Sequence, residues 1–389
     1  MSRDSSITVL QILPSFDVGG AEVGTISIAQ ALIEHGARAL VISNGGRLTP
    51  KLEATGAGHI SLPVHSKNPI DIFRNSQKLI QIIKDHKVDL VHARSRAPAW
   101  SALRACRKTG TPFVTTVHGA YRNTNMFRRF YSSVMIRSDR TIMISRFVDH
   151  HIGKTYRNLN HASVRVIERG INLSHFAPES VTALRQIQLA KVWRLRDGEP
   201  VILMPGRISR SKGHEMLFHA LKILMADRSF QCLIVGADVD HERYRDSLVR
   251  KIKQLGLESC VHVTGPCMDM PAAYMLSDVV VQCPKVAEGF GRVAVEAQAA
   301  GRPIVVSDIG ALPDVVQHGQ TGWVVPSGDA GQLASALGTA LDLNAQQRTD
   351  LAMRAQAWVK NFSVTKMQQA TLSVYAELLR GKKTLAWRL

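Results

Sequence analysis

The chain has 389 residues, 45% of them hydrophobic and 21% charged, a globular composition long enough for two domains, which excludes disorder and coiled coil. It contains no run of 18 or more apolar residues, so no transmembrane helix is expected. A net charge of +18 calls for a polyanionic partner: nucleic acid, an anionic membrane surface or an acidic glycolipid.

That charge is unevenly placed. Residues 1–180 carry 24 Lys and Arg against 12 Asp and Glu, and residues 181–389 carry 25 against 19. Within 91–140 there are ten basic residues and one acid, Asp139. The N-terminal half is therefore expected to meet most of the anion. The five cysteines, Cys106, Cys232, Cys260, Cys267 and Cys283, contain no Cys-x-x-Cys pair and read as buried free thiols, without zinc or disulfides. The first apolar run is too short for a signal peptide, so the expected compartment is the reducing cytoplasm.

In chain order, Ile7–Leu13 reads as a strand, followed by a turn at Asp17-Val18-Gly19-Gly20. A helix is expected from Ala21 to His35, with Gly36 as its C-terminal cap. Ala39–Ser43 is a strand, Ile70–His86 a helix, Val88–His92 a strand, Pro98–Arg107 a helix and Pro112–His118 a strand. Phe127, Phe130, Tyr131, Val134 and Met135 recur at helical spacing and predict one apolar helix face with arginines behind it. The pattern loosens over 171–199, which reads as an interdomain connection. It restarts with strands at Val201–Pro205, Gln231–Val235, Cys260–Val263, Val279–Cys283 and Pro303–Ser307, with helices 213–226 and 242–255 among them. The stretch 331–385 reads as helical with no strand after it. Alternating strands and helices predict α/β architecture with doubly wound parallel sheets.

Four places carry candidate chemistry. Gly19-Gly20-Ala21-Glu22 stands between a strand and a helix, where free N–H groups and the helix dipole can hold a phosphate, or where the chain merely turns tightly. Gly206-Arg207 and Lys212-Gly213 follow the first strand of the second half; two cations five residues apart suit a diphosphate or line a solvated basic loop. Glu288-Gly289-Phe290-Gly291, with Glu296 eight residues after Glu288, offers carboxylates and helix-start amides for sugar or ribose hydroxyls. His118 ends a strand on the crevice side of its sheet, as does His92. Asp238-Val239-Asp240 reads as a charged turn rather than a metal site, and no metal is expected.

These motifs, with Gly310-Ala311-Leu312-Pro313-Asp314 and Gly319-Gln320-Thr321-Gly322, occur in the order seen in the family 4 retaining glycosyltransferases, which the chain resembles from Val9 to its last helix. The resemblance implies a GT-B fold: two Rossmann-like domains with a cleft between them and a C-terminal crossover helix. It divides the chain into an acceptor domain at 1–175, a connection at 176–198, a nucleotide-sugar domain at 199–362 and a returning helix at 363–389. By position, Arg207 and Lys212 resemble the diphosphate clamp, Glu288 the contact to donor sugar hydroxyls aided by backbone at Phe290 and Gly291, and Glu296 the ribose ligand. Gly19 and Gly20 resemble the glycine loop at the donor phosphate, and His118 the histidine near the donor sugar. Arg169-Gly170-Ile171-Asn172 departs from the usual Asn-Gly-[Ile/Val]-Asp, as does Lys285-Val286-Ala287 before Glu288.

Val91 to Trp100 and Thr116 to Tyr121 resemble the bacterial lipopolysaccharide core glycosyltransferases, some of them mannosyltransferases. The implied activity is metal-independent, retaining transfer of a hexose to a lipopolysaccharide core or other lipid-linked saccharide. No cofactor is needed beyond the donor, for which GDP-mannose is preferred over UDP-sugars. The implied partners are that donor, an anionic saccharide or glycolipid acceptor and, through 91–140, an anionic membrane surface at the inner face of the cytoplasmic membrane; nucleic acid is not expected. An epimerase on the same scaffold and a basic nucleic-acid-binding protein are the alternatives. Sugar, linkage and oligomeric state are left open by these motifs.

Overall fold

The computed structural model describes residues 6–17, 19–121, 125–238 and 242–380. The chain divides into two units. Unit 1 comprises the residues up to Gly170 joined by those from Val364 onward, and unit 2 is Ile171–Ser363.

Unit 1 is built on seven parallel strands: β1 Thr8–Ile12, β2 Arg38–Ser43, β3 Gly58–Ser61, β4 Leu90–Ala93, β5 Phe113–Val117, β6 Arg140–Met143 and β7 Val164–Val166. Their order in the sheet is β3-β2-β1-β4-β5-β6-β7. The direction of progression reverses between β1 and β4, which is where open α/β sheets form their ligand crevice, beyond the carboxyl ends of the strands. Every residue of β1, β4 and β5 is buried, as expected of parallel strands covered on both faces. The helix Gly20–Glu34 follows β1 and ends where Gly36 turns left-handed at φ 74°. The helix Pro69–Asp85 starts with Asn68 accepting from the Ile70 N–H and proline in its first turn, a favourable start on both counts. The last helix, Val364–Leu379, puts Leu372, Val374, Tyr375 and Leu379 into the same core as Val9, Leu32, Val41 and Leu90.

Unit 2 has six parallel strands: β8 Val201–Pro205, β9 Gln231–Val235, β10 Val261–Gly265, β11 Val279–Gln282, β12 Ile304–Ser307 and β13 Trp323–Val325. They lie in the order β10-β9-β8-β11-β12-β13, with the reversal between β8 and β11. Helices His214–Leu224 and Ala330–Leu341 pack Leu217, Leu221, Leu333 and Leu337 over Ile202, Ile234 and Val281.

Two expectations are corrected. The stretch 176–198 is not a connection but part of unit 2. It holds the helix Ala183–Trp193, whose Arg185 forms a bidentate pair with Asp269 at 2.6 and 2.8 Å. The five-residue apolar face from Phe127 to Met135 is also broken. The helix runs only from Met126 to Ser132 and tightens into a 3₁₀ turn at Ser133–Ile136. There the Ser133 hydroxyl donates to the Phe130 carbonyl at 2.7 Å, the local competition by which serine disfavours a continued α-helix. Val134 and Met135 are fully buried, whereas Phe127 is 86% and Phe130 60% exposed.

Candidate active site

In unit 2 the loops leaving β8 and β11 are tied together. The Lys285 N–H donates to the Ser211 carbonyl at 2.9 Å. Gly213, at φ 83°, has no room for a side chain, because a Cβ would run into the Cys283 carbonyl. This close approach sets Lys212 against Glu288, and the two side chains form an ion pair. The other Glu288 carboxylate oxygen accepts from Gln282 Nε2 at 2.8 Å. Gly310, at φ 69°, lets the next loop come within 2.5 Å, measured from an ideal Cβ, of the Glu288 backbone. Ala311 N–H then donates to the Glu288 carbonyl at 3.0 Å. Arg207 is exposed and forms no ion pair among the described residues. Two cations and one carboxylate therefore share the switch point, one cation paired and one free.

The helix Arg292–Ala299 begins after Gly291 at φ 92°. Phe290 is buried and its ring meets Phe362 edge-on at 5.7 Å, so its side chain belongs to the core and only its backbone is left for a ligand. Glu296 is buried, accepting from Tyr274 Oη at 2.8 Å and from Arg292 Nη2 at 3.0 Å. Burial, and then the Glu296 carboxylate, raises the Tyr274 phenol well above its ordinary range, so it remains a donor. His214, which opens the helix after Lys212, is buried against Tyr244; burial and then Lys212 push its pKa down to about 4.

In unit 1 the switch point carries the cations Arg94 and Arg169. Gly20 opens the helix after β1, and the space its missing Cβ leaves is taken by Arg169 Nη1. The side of Gly19 is taken likewise by Glu22. The clearance expected to admit a ligand at these two glycines is thus used by the chain's own side chains. Arg169 Nη2 donates to His118 Nδ1 at 2.9 Å. Arg94, which follows β4, is buried and donates from Nε to Gln11 Oε1 at 2.9 Å, while its Nη2 has no hydrogen-bond partner. His92 is fully buried, with Tyr375 Oη at 2.6 Å from Nδ1 and Thr116 Oγ1 at 2.7 Å from Nε2. Burial holds both His92 and His118 well below the ordinary histidine range, with Arg94 adding to it in each case.

The structure thus joins Lys212 to Glu288 in unit 2, places Phe290, Gly291 and Arg207 on loops of that unit, and buries Glu296 within the helix Arg292–Ala299. Gly19, Gly20 and His118 lie in unit 1. Sequence reasoning missed Gln282 and Tyr274 as holders of the two glutamates, Arg169 as the hydrogen-bond partner of His118 and Arg94 as a charge acting on it. Arg169 was visible as a departure from the family motif; the others carried no local signal. Of the Asp-Val-Asp triplet, residues 239 and 240 lie outside the described residues, and Asp238 accepts from Arg245 at 3.4 Å.

Two family models match: Glycosyltransferase Family 4 over residues 18–175 and Glycosyl transferases group 1 over residues 186–358. The crystal structure of a glycosyltransferase from Rickettsia africae superposes with a TM-score of 0.90 at 32% identity, covering 97% of this chain and all of that one. The chain belongs to the GT-B glycosyltransferases. The same fold is shared with Anabaena HepE in complex with UDP and glucose, at a TM-score of 0.83 and 22% identity over 95% of this glycosyltransferase and all of HepE. WaaG, a glycosyltransferase involved in lipopolysaccharide biosynthesis, superposes at 0.71 with 17% identity over 96% and 100% of the two chains. The chain spans about half the length of curated relatives such as the D-inositol 3-phosphate glycosyltransferase of Nocardia farcinica, which is 30% identical over 223 residues, 56% of this chain and 48% of that one.

Proposed function

We propose that this glycosyltransferase moves a hexose from a nucleotide diphosphate sugar to a lipopolysaccharide core or other lipid-linked saccharide, with retention at the anomeric carbon and without a metal. The observation that carries the reading is the arrangement at the β8–β11 switch point: the Lys212–Glu288 pair, with the Lys212 side chain against Gly206 and exposed Arg207 next in the same loop. Breaking a glycosidic bond to a diphosphate leaves negative charge on the departing oxygens. Preorganised cations and loop amides stabilise that charge most where little water competes. Arg207 and Lys212 serve as the clamp, Glu288 binds donor sugar hydroxyls and Glu296 the ribose. Unit 1 receives the acceptor, with His118 as its residue for a saccharide hydroxyl. GDP-mannose is kept ahead of UDP-sugars on the resemblance of Val91 to Trp100; HepE, with UDP, argues for testing both.

The acceptor reading draws on the surface of unit 1. Met126, Phe127 and Phe130 are 85%, 86% and 60% exposed, and Arg137 lies 5.4 Å over Trp100 and 5.2 Å over Phe130. A groove of about 570 Å³ runs beside them, lined by Ile72, Phe73, Trp100, Arg104, Arg107 and Lys108 among others. Apolar tips ringed by cations suit the headgroup layer of an anionic bilayer. No described helix is long and apolar enough to cross one. Flotation with anionic liposomes in low salt tests the contact: binding weakened by charge reversal at Arg128 and Arg129 supports it, and absence of binding removes it.

The donor is tested by thermal unfolding against GDP, UDP, ADP and their sugars, since a ligand that binds only the folded state raises its stability. A shift with one nucleotide, lost in Arg207→Ala and Lys212→Ala, supports the assignment and names the base. No shift with any nucleotide in folded protein counts against it.

A further inference from the structure

Two histidines stand at the crevice end of neighbouring strands in unit 1, and they differ in how their rings are held. His92 has a partner at each nitrogen. His118 has Arg169 at Nδ1, while its Nε2 is shielded from solvent without a hydrogen-bond partner. A guanidinium can only donate. Nδ1 must therefore accept, and the ring proton resides on Nε2. A second proton at Nδ1 would confront the Arg169 N–H groups directly. The charges that bear on the ring point the same way: Arg169 after β7 and Arg94 after β4 both disfavour the cation, with His92 of β4 a further neighbour. Arg169 is itself held in place, because Gly20 leaves the space its Nη1 occupies. A buried donor without an acceptor calls for an explanation, and an oxygen of a bound molecule supplies one.

We propose that Arg169 is a positioning residue that fixes His118 in the neutral Nε2–H form, so that His118 offers a hydrogen-bond donor to a saccharide hydroxyl oxygen. The role of the hydroxyl rests on the proposed function; the state of the ring does not. The same arrangement gives the Arg-Gly-Ile-Asn departure a purpose, since the asparagine usual in the family at position 169 has no guanidinium with which to bar a proton from Nδ1.

The tautomer is read directly by two-bond ¹⁵N–¹H correlation on protein labelled with ¹⁵N-histidine, the His118 signals being those lost in His118→Gln. Wild type is expected to show Nε2 protonated and Nδ1 bare between pH 8 and pH 5. In Arg169→Met the ring is expected to become a mixture of tautomers that takes up its second proton at least one pH unit higher. Arg169→Lys retains a donor and should restore most of the Nε2–H form. Gly20→Ala, which displaces the guanidinium without removing it, should reproduce the Met variant. In transfer assays Arg169→Met is expected to lower kcat about 10- to 100-fold with donor KM altered less than about threefold. An unchanged tautomer in both Arg169→Met and Gly20→Ala overturns the inference, as does a lost tautomer with unchanged kcat. If wild type transfers no sugar yet shows the bare Nδ1 that the Met variant loses, the proposed function fails while the control of His118 by Arg169 stands.

Discussion

The switch points of the two sheets hold their cations in different ways. In unit 2 the cation Lys212 is answered by Glu288, Glu288 by Gln282, and Glu296 by Tyr274 and Arg292. In unit 1, Arg94 and Arg169 are set against a neutral histidine and an amide. A charge-balanced site keeps its side chains in place before a ligand comes, and must then exchange one partner for another. A site whose guanidiniums donate to a neutral imidazole and an amide keeps its order through buried neighbours such as Tyr375. The difference teaches that one strand order can hold its switch-point side chains in two ways, through an ion pair or through bonds to neutral groups.

Breaking the balance in unit 2 should have the largest effect. Glu288→Ala removes the counter-ion of Lys212 and is expected to cut transfer by about 10²- to 10³-fold, the range of losing one preorganised transition-state contact. Nucleotide-induced stabilisation should be retained or enlarged, because Lys212 is freed for phosphate. Loss of that stabilisation would show that the pair, rather than the cation, forms the site.

Acid should sharpen the comparison. The folded pKa of His214, about 4, lies below its unfolded value of 6.5, so the native state resists a proton that the unfolded chain accepts. The free energy of unfolding therefore falls as pH drops from about 6.5 to about 4 and levels off below that, by something on the order of 3 kcal/mol for this group. Above pH 6.5 it contributes no slope. Urea titrations at pH 7 and pH 4.5 should show a smaller difference in His214→Asn than in wild type; an equal difference would assign the acid sensitivity elsewhere.

Tyr375→Phe takes the hydroxyl from His92 Nδ1 and leaves a buried ring nitrogen unmet, at a cost of about 1–3 kcal/mol. Chemical denaturation should show the loss while the nucleotide shift of unit 2 is unchanged. A changed nucleotide shift would mean that the two switch points are not separable. The smallest effect is expected at Lys285, whose bond to Glu215 spans 3.1 Å between side chains about half exposed. Lys285→Ala should change stability by less than about 1 kcal/mol, and a larger change would show that the β11 loop depends on this surface pair.

Much of the fold was legible because it was written in runs long enough to carry a period. The helix after β1, the Pro69–Asp85 helix and β8, β9 and β11 all fall within a residue or two of expectation. Strands β3, β6, β7 and β13 are short and only partly buried, so no continuous apolar run marks them as it marks the equally short β11. The helix through Phe127 was overextended because spacing records where apolar residues recur, not where a serine hydroxyl claims a carbonyl. At the site, Arg207, Lys212 and Glu288 could be named from their glycine-flanked loops. Their holders could not, since Gln282 and Tyr274 sit inside a strand and a helix with nothing local to mark them. Arg169 is the instructive case: the sequence shows that it departs from the family, and only the structure shows that its guanidinium rests on Gly20 and His118.

The chain leaves unit 1 at Gly170 and re-enters it at Val364, and Tyr375 on the returning helix is fully buried there against His92. During synthesis the first sheet can therefore pair its strands early but cannot close its core until the C-terminal helix has been made. Unit 2, contiguous from Ile171 to Ser363, has all of its own chain sooner. The half that is translated second is thus the first whose own chain is complete, and a released chain cut before residue 364 would hold all of unit 2 and an open unit 1.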